Sequence, residues 1–145
     1  KIDKFEYLQD FVSKIHLGDG RILMKNFNAQ WNNSVLIESN EIEFMNDIDG
    51  KKLVGEIIFN FEDIEKFFRY FQIKRNYRDV FETIKLDFVY DLTLDKLVMN
   101  NLRIDNKSSK KIDKFLNQYN KSVNNSFNKV TIRNFIKKFF LVYAG

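Results

Sequence analysis

The chain has no cysteine and no proline, and only one histidine, one tryptophan and five glycines among its 145 residues. Without cysteine there are no disulfides, no thiolate metal sites and no cysteine nucleophile, a usage that suits an oxidising compartment. With His16 alone, a nucleophilic triad has a single possible base, and no Gly-x-Ser-x-Gly elbow presents a serine to it. No apolar run approaches the roughly 20 residues that a membrane-spanning helix needs, and no signal peptide is visible. The first residue is Lys1. We therefore read the chain as a segment of a longer protein, with any anchoring element upstream.

Other routes to chemistry fail on spacing. Acidic pairs occur at Glu41/Glu43, Asp47/Asp49, Glu62/Asp63 and Asp87/Asp91. Asp87 and Asp91 share the polar face of a strand, where solvation and edge protection explain them. Asp47-Ile48-Asp49-Gly50 resembles the start of a calcium loop but lacks its later ligands. Gly18-Asp19-Gly20 lacks the third glycine of a dinucleotide turn and the lysine of a P-loop. The expectation is a non-catalytic protein with no metal and no cofactor.

What the chain does have is aromatic mass and mixed charge. It carries 16 Phe and 6 Tyr, and 24 Lys and Arg against 20 Asp and Glu, a formal charge of +4. Interspersed charges of both signs read as a solvated surface. Rings in this number read first as core, because each buries a large apolar area.

Periodicity then orders the chain as one segment with five parts: 1–19, 20–61, 62–83, 84–104 and 105–145. In the first, Phe5, Leu8, Phe11, Val12 and Ile15 fall at helical spacing, so a helix is expected before the Gly18-Asp19-Gly20 break. In the second, three strands are expected. One runs 21–31 with Leu23, Phe27, Ala29 and Trp31 on one face. The next runs 34–45, where Val35 and Ile37 share one phase and Ile42 and Phe44 the other, which implies a bulge near Ser39-Asn40. The last runs 52–61 with Leu53, Ile57, Phe59 and Phe61 together.

The third part opens on an amphipathic helix, 62–73, with Ile64, Phe67, Phe68 and Phe71 in a stripe and Asp63 at its start. A basic, aromatic loop or short helix follows over 74–83. The fourth part is a hairpin, 84–104. Its first strand alternates Ile84, Leu86, Phe88, Tyr90, Leu92 and Leu94 with mostly polar residues, and Asp95-Lys96 is expected to turn the chain. The fifth holds two helices. Ser108 or Ser109 caps the first, 110–120; a polar linker covers Asn120 to Asn125; the second spans 127–143. An internal echo links Gly20–Asn28 to Asp95–Arg103: a turn residue, a base, three apolar residues, a polar residue, an Asn and a large apolar residue.

The fold class expected is therefore α+β, a curved and mostly antiparallel sheet, a segment of a β-groove, covered or capped by amphipathic helices. Two surfaces stand out. Ile84, Leu86, Phe88, Tyr90 and Leu92 form an apolar wall, fit either for lipid or for ordinary core. Lys74, Arg75, Tyr77 and Arg78 interleave bases with rings, as single-strand nucleic-acid binders do. Against the second, Phe68 and Phe71 already belong to a helix stripe and the net charge is small, so nucleic acid ranks third among the readings. The last helix has an aromatic face and a basic one. It suits either an anionic bilayer interface or docking on the sheet, and docking is preferred because a one-sided sheet needs a cover.

Four phrases carry a resemblance. Phe127-Asn128-Lys129-Val130-Thr131-Ile132-Arg133-Asn134-Phe135 with the ending Tyr143-Ala144-Gly145, Asn101-Leu102-Arg103-Ile104-Asp105-Asn106, Phe71-Gln72-Ile73-Lys74-Arg75-Asn76-Tyr77-Arg78, and the Gly-basic-apolar strand starts are similar to the C-terminal region of AsmA-like proteins of alphaproteobacteria. The resemblance implies a long β-groove in the periplasm, held to the inner membrane by an N-terminal helix upstream of this segment. It implies a part in phospholipid transport between membranes and in outer-membrane assembly, with phospholipid acyl chains and envelope proteins as partners. It brings no catalytic residues. The competing expectation is a structural or protein-docking cap with no lipid contact.

Overall fold

The computed structural model describes residues 8–122 and 126–145. Six strands come first to last: β1 (Leu8–Gly18), β2 (Arg21–Trp31), β3 (Val35–Asp47), β4 (Gly50–Phe61), β5 (Thr83–Asp91) and β6 (Lys96–Ile104). They form one antiparallel sheet in sequence order, curved and unclosed. Helix α1 (Ile64–Phe71) and a 3₁₀ turn (Arg75–Tyr77) lie between β4 and β5, and α2 (Lys110–Lys121) and α3 (Lys129–Ala144) follow β6. The architecture is the expected α+β one, a curved sheet capped by helices.

The hairpins are set by residues that tolerate positive φ. Asp19 and Gly20 (φ 52° and 72°) join β1 to β2, and Asn32 and Asn33 (φ 50° and 47°) join β2 to β3, pairs of positive φ that match the right-handed twist of the strands. Asp91 Oδ1 accepts from Thr93 N–H and Leu94 N–H, which ends β5 and turns the chain over Leu92–Asp95.

The expected first helix is a strand. Residues 8–18 pair with β2, from Leu8 opposite Trp31 to Gly18 opposite Arg21. The physical reason lies at Asp10, which takes φ 50° where the register shifts. That extra residue sets Phe11 three positions after Leu8, and two strand repeats then separate Phe11 from Ile15. A bulged strand thereby imitates the spacing of a helix. Phe5 of that expected helix lies outside the described residues.

Bulges recur across the sheet. β3 spends one more residue than β4 between Glu38 and Ile42, at the expected Ser39-Asn40 position. Gly55 faces this bulge, and a Cβ there would lie 2.9 Å from the Glu41 carbonyl oxygen. Asn26 in β2 (φ 49°) and Asn101 in β6 (φ 51°) are the same position of the internal echo, each six residues past a positive-φ turn residue, Gly20 and Asp95. The two copies therefore share two positive-φ positions as well as a residue pattern. Asn26 also corrects the expected face of β2: it sends Leu23 and Lys25 to one side and Met24, Phe27, Ala29 and Trp31 to the other.

The core lies between the helices and the β4–β6 half of the sheet. Phe68, Ile112 and Phe140 are its most buried large side chains. Ring contacts tie it together: Phe81 stacks on Phe140 at 5.9 Å, Phe68 meets Phe140 edge-on at 5.2 Å, and Trp31 stacks on Phe71 at 5.6 Å. The starts of α1 and α3 are fixed locally. Asp63 accepts from Lys66 N–H at 2.9 Å, and Asn128 accepts from Val130 N–H and Thr131 N–H to form a capping box. Ser109 is the N-cap of α2 but makes no side-chain cap bond. Helix α2 runs through Asn120 and Lys121, so the expected linker begins later; its residues 123–125 lie outside the described residues. No helix among the described residues is long and apolar enough to cross a membrane.

Candidate functional site: an apolar sheet face extending past its helices

The pairing registers sort every strand residue onto one of two faces. Phe59 opposes Ile84, Ile57 opposes Leu86, Gly55 opposes Phe88 and Leu53 opposes Tyr90. The same rows continue through Ile37, Ile42 and Phe44 of β3 to Ala29, Met24 and Ile22 of β2. They end in β1 with Ile15 opposite Met24 and Leu17 opposite Ile22. Phe11 joins them through an edge-on contact with Phe27 at 5.1 Å. One face is thus apolar across all six strands.

The other face is mixed: Leu23, Val54, Val89 and Val98 share it with charged residues that form cross-strand pairs. Arg21 meets Glu43 at 2.6 Å, Lys25 meets Glu41 at 3.4 Å, Lys85 meets Glu56 at 3.0 Å, and Asn60 donates to Glu38 at 2.6 Å. The Arg21 hydrogen bond holds the Glu43 carboxyl below its ordinary range and raises the Arg21 guanidinium in turn. Such exposed pairs add little stability but fix this side as the one that meets water.

The helices cover only part of the apolar face. Trp31, Ile57, Phe59, Phe61, Ile84, Leu86, Phe88 and the apolar residues of β6 pack into the helix-bound core. Beyond that cover the face continues through Leu53, Phe44, Met24 and Phe27 to Phe11, Ile15 and Leu17, the last three 58%, 66% and 76% exposed. Ile42 within this stretch is buried and Leu53, Phe44, Met24 and Phe27 are half-buried, so the open part of the face runs along β1 and Ile22 of β2.

The expected wall divides accordingly. Leu86 is buried, and Ile84 and Phe88 pack against the helix-bound core. Tyr90 sits at the margin. Its ring lies 5.5 Å from Phe127 and its hydroxyl donates to Asp95 Oδ1 at 2.7 Å. Burial, with help from Asp95, pushes its pKa up to about 12. Leu92 leaves the wall altogether, because β5 ends at Asp91 and Leu92 lies exposed in the turn. The exposed Phe11, Ile15 and Leu17 escaped the sequence reading, since the bulge hid their strand. The hairpin turn at Asp19-Gly20 was the available signal, because such a turn implies a strand on each side.

The basic-aromatic segment is dispersed. Lys74 and Arg75 are exposed, but Tyr77 packs on the core. Arg78 lies 5.8 Å from the Phe68 ring, donates from Nε to the Ile73 carbonyl at 2.9 Å and pairs with Glu65 at 3.1 Å. Phe68 and Phe71 are buried. His16 is exposed on the mixed side of β1. Among the described residues, no three His, Asp or Glu side chains are placed to hold a metal ion.

The two edges of the sheet differ. At β6, Asn120 of α2 accepts from Met99 N–H at 3.0 Å and donates to Met99 C=O at 2.8 Å, as a neighbouring strand would. Lys107 returns to exchange both backbone bonds with Ile104. At β1, Phe11, Ile15 and Leu17 lie open along the opposite edge. Comparison with family models, curated proteins and solved structures gave no match.

Proposed function

We propose that this chain is a non-catalytic part of an AsmA-like envelope protein that shields phospholipid acyl chains on its apolar sheet face. One observation carries the reading: the face stays apolar across six strands, while the helices pack over β4–β6 and Trp31 of β2 and leave Phe11, Ile15 and Leu17 of β1 exposed. A face needed only for packing would end where its cover ends. Each methylene taken out of water contributes about 0.8 kcal/mol, so eight sheltered methylenes contribute about 6 kcal/mol before ordering costs. The opposite face, with its ion pairs, keeps the sheet in water. On this reading the protein works in the periplasm, held to the inner membrane by a segment upstream, and takes part in phospholipid transport between the inner and outer membranes.

The second reading is a docking cap with no lipid contact. The closure of the β6 edge by Asn120 and Lys107 favours it, since it makes this end of the sheet a terminus.

Lipid extracted from the purified protein and measured by mass spectrometry separates the two. Ile15→Glu and Leu17→Glu alter exposed residues and should leave the melting temperature within about 2 °C. They should also remove bound lipid. Phe88→Glu instead puts a charge against the packed core and should unfold the chain. Absence of lipid from the wild-type protein, or lipid retained in both β1 variants, would overturn the proposal.

A further inference from the structure

Charge is not spread evenly along the chain. Residues 107–145 carry nine Lys or Arg and a single acid, Asp113, whereas residues 1–106 carry 15 bases and 19 acids. The helical cap is thus strongly positive on a sheet of net negative charge. In α2 the core positions are Ile112, Phe115, Leu116 and Tyr119. Lys110, Lys114 and Lys121 recur at four and seven residues on the opposite side, and all three are exposed. In α3 the apolar face is buried through Phe139 and Phe140. Its outward stripe is Val130, Asn134, Lys137 and Leu141, with Lys138 beside it. Val130 and Leu141 are 67% and 48% exposed.

We infer that the outer surface of α2 and α3 binds the surface of an anionic bilayer. Three features select lipid headgroups over nucleic acid. Eight of the nine bases are lysines, which act as point charges, whereas planar bidentate recognition favours arginine. The one arginine, Arg133, is turned to the Tyr70 ring at 5.9 Å. The rings that would stack on bases, Phe115, Tyr119, Phe135 and Phe139, are packed inside. What the outward stripe offers beside lysine is aliphatic, Val130 and Leu141, which suits the boundary between headgroups and acyl chains. The aromatic side of α3 does not insert; attraction comes from charge at the surface. This inference stands apart from the lipid groove, since a sheet that bound no acyl chain would carry the same cap.

Co-sedimentation with vesicles tests it, comparing phosphatidylcholine alone with its equimolar mixture with phosphatidylglycerol. The protein should bind the mixed vesicles, bind the neutral ones far less, and be released as salt shortens the Debye length from about 10 Å to about 3 Å. Lys110→Gln with Lys114→Gln and Lys121→Gln should weaken binding on the order of 100-fold, while the same three changes to Arg retain it. Equal binding to neutral vesicles would overturn the inference, as would a Gln triple variant that is still folded by circular dichroism and binds undiminished. Preference for a single-stranded oligonucleotide over mixed vesicles at equal salt would overturn it in favour of nucleic acid. Lipid bound in the groove is read by extraction in the absence of vesicles, so the two proposals fail separately.

Discussion

Replacing Asn120 with Ala tests whether a helix side chain closes the sheet. The wild-type carboxamide satisfies both backbone groups of Met99, at 3.0 Å and 2.8 Å. Truncation leaves a donor and an acceptor beside a buried Met99 side chain. A sealed backbone group without a partner costs about 1–3 kcal/mol. Water reaches this edge once the side chain is gone, so the two together cost about 2 kcal/mol. Ala is a better helix former than Asn by about 0.6 kcal/mol, which offsets part of the loss. The net destabilisation is about 1.5 kcal/mol, or about 4 °C in melting temperature for a domain of this size. Asn117→Ala supplies the control, being exposed on the same helix with the same propensity gain; it should stabilise slightly. Urea denaturation should give opposite signs for the two variants, and the Met99 amide should exchange faster only in Asn120→Ala. If both variants gain stability alike, the carboxamide does not close the edge.

Two further predictions follow from the backbone and from titration. Gly55→Ala should cost about 1–3 kcal/mol by chemical denaturation, although Ala suits strands better than Gly, because its Cβ would press on the Glu41 carbonyl at the β3 bulge; a neutral or stabilising result would mean the bulge relaxes freely. Tyr90 keeps its proton in the folded state until about pH 12, whereas unfolded tyrosine releases it near its ordinary 10.0. Its contribution is therefore fully present below pH 10 and is lost as pH rises toward 12. Melting temperatures across that window should fall, and Tyr90→Phe should make the fall shallower. Tyr119 and Tyr143, also raised by burial, leave a residual slope of the same sign. An unchanged slope in Tyr90→Phe would refute the assignment.

Local pattern alone determined much of this protein. Two-residue alternation marked β4 and β5, the Phe67, Phe68 and Phe71 spacing marked α1, and the phase change in β3 located a bulge, because these signals depend on side chains a few residues apart. The internal echo was visible too, since like residues favour like turns. What only the tertiary structure decided depended on pairing. Asp10 and Asn26 shift residues from face to face, and such a shift reads as helical period or as a broken strand until the neighbouring strand is in place. Burial was likewise undetermined: Ile84 and Ile15 look alike in sequence, yet one lies under helices and the other is open. Which part of an apolar face is covered depends on where distant helices dock, a matter of long-range packing that no window of residues contains.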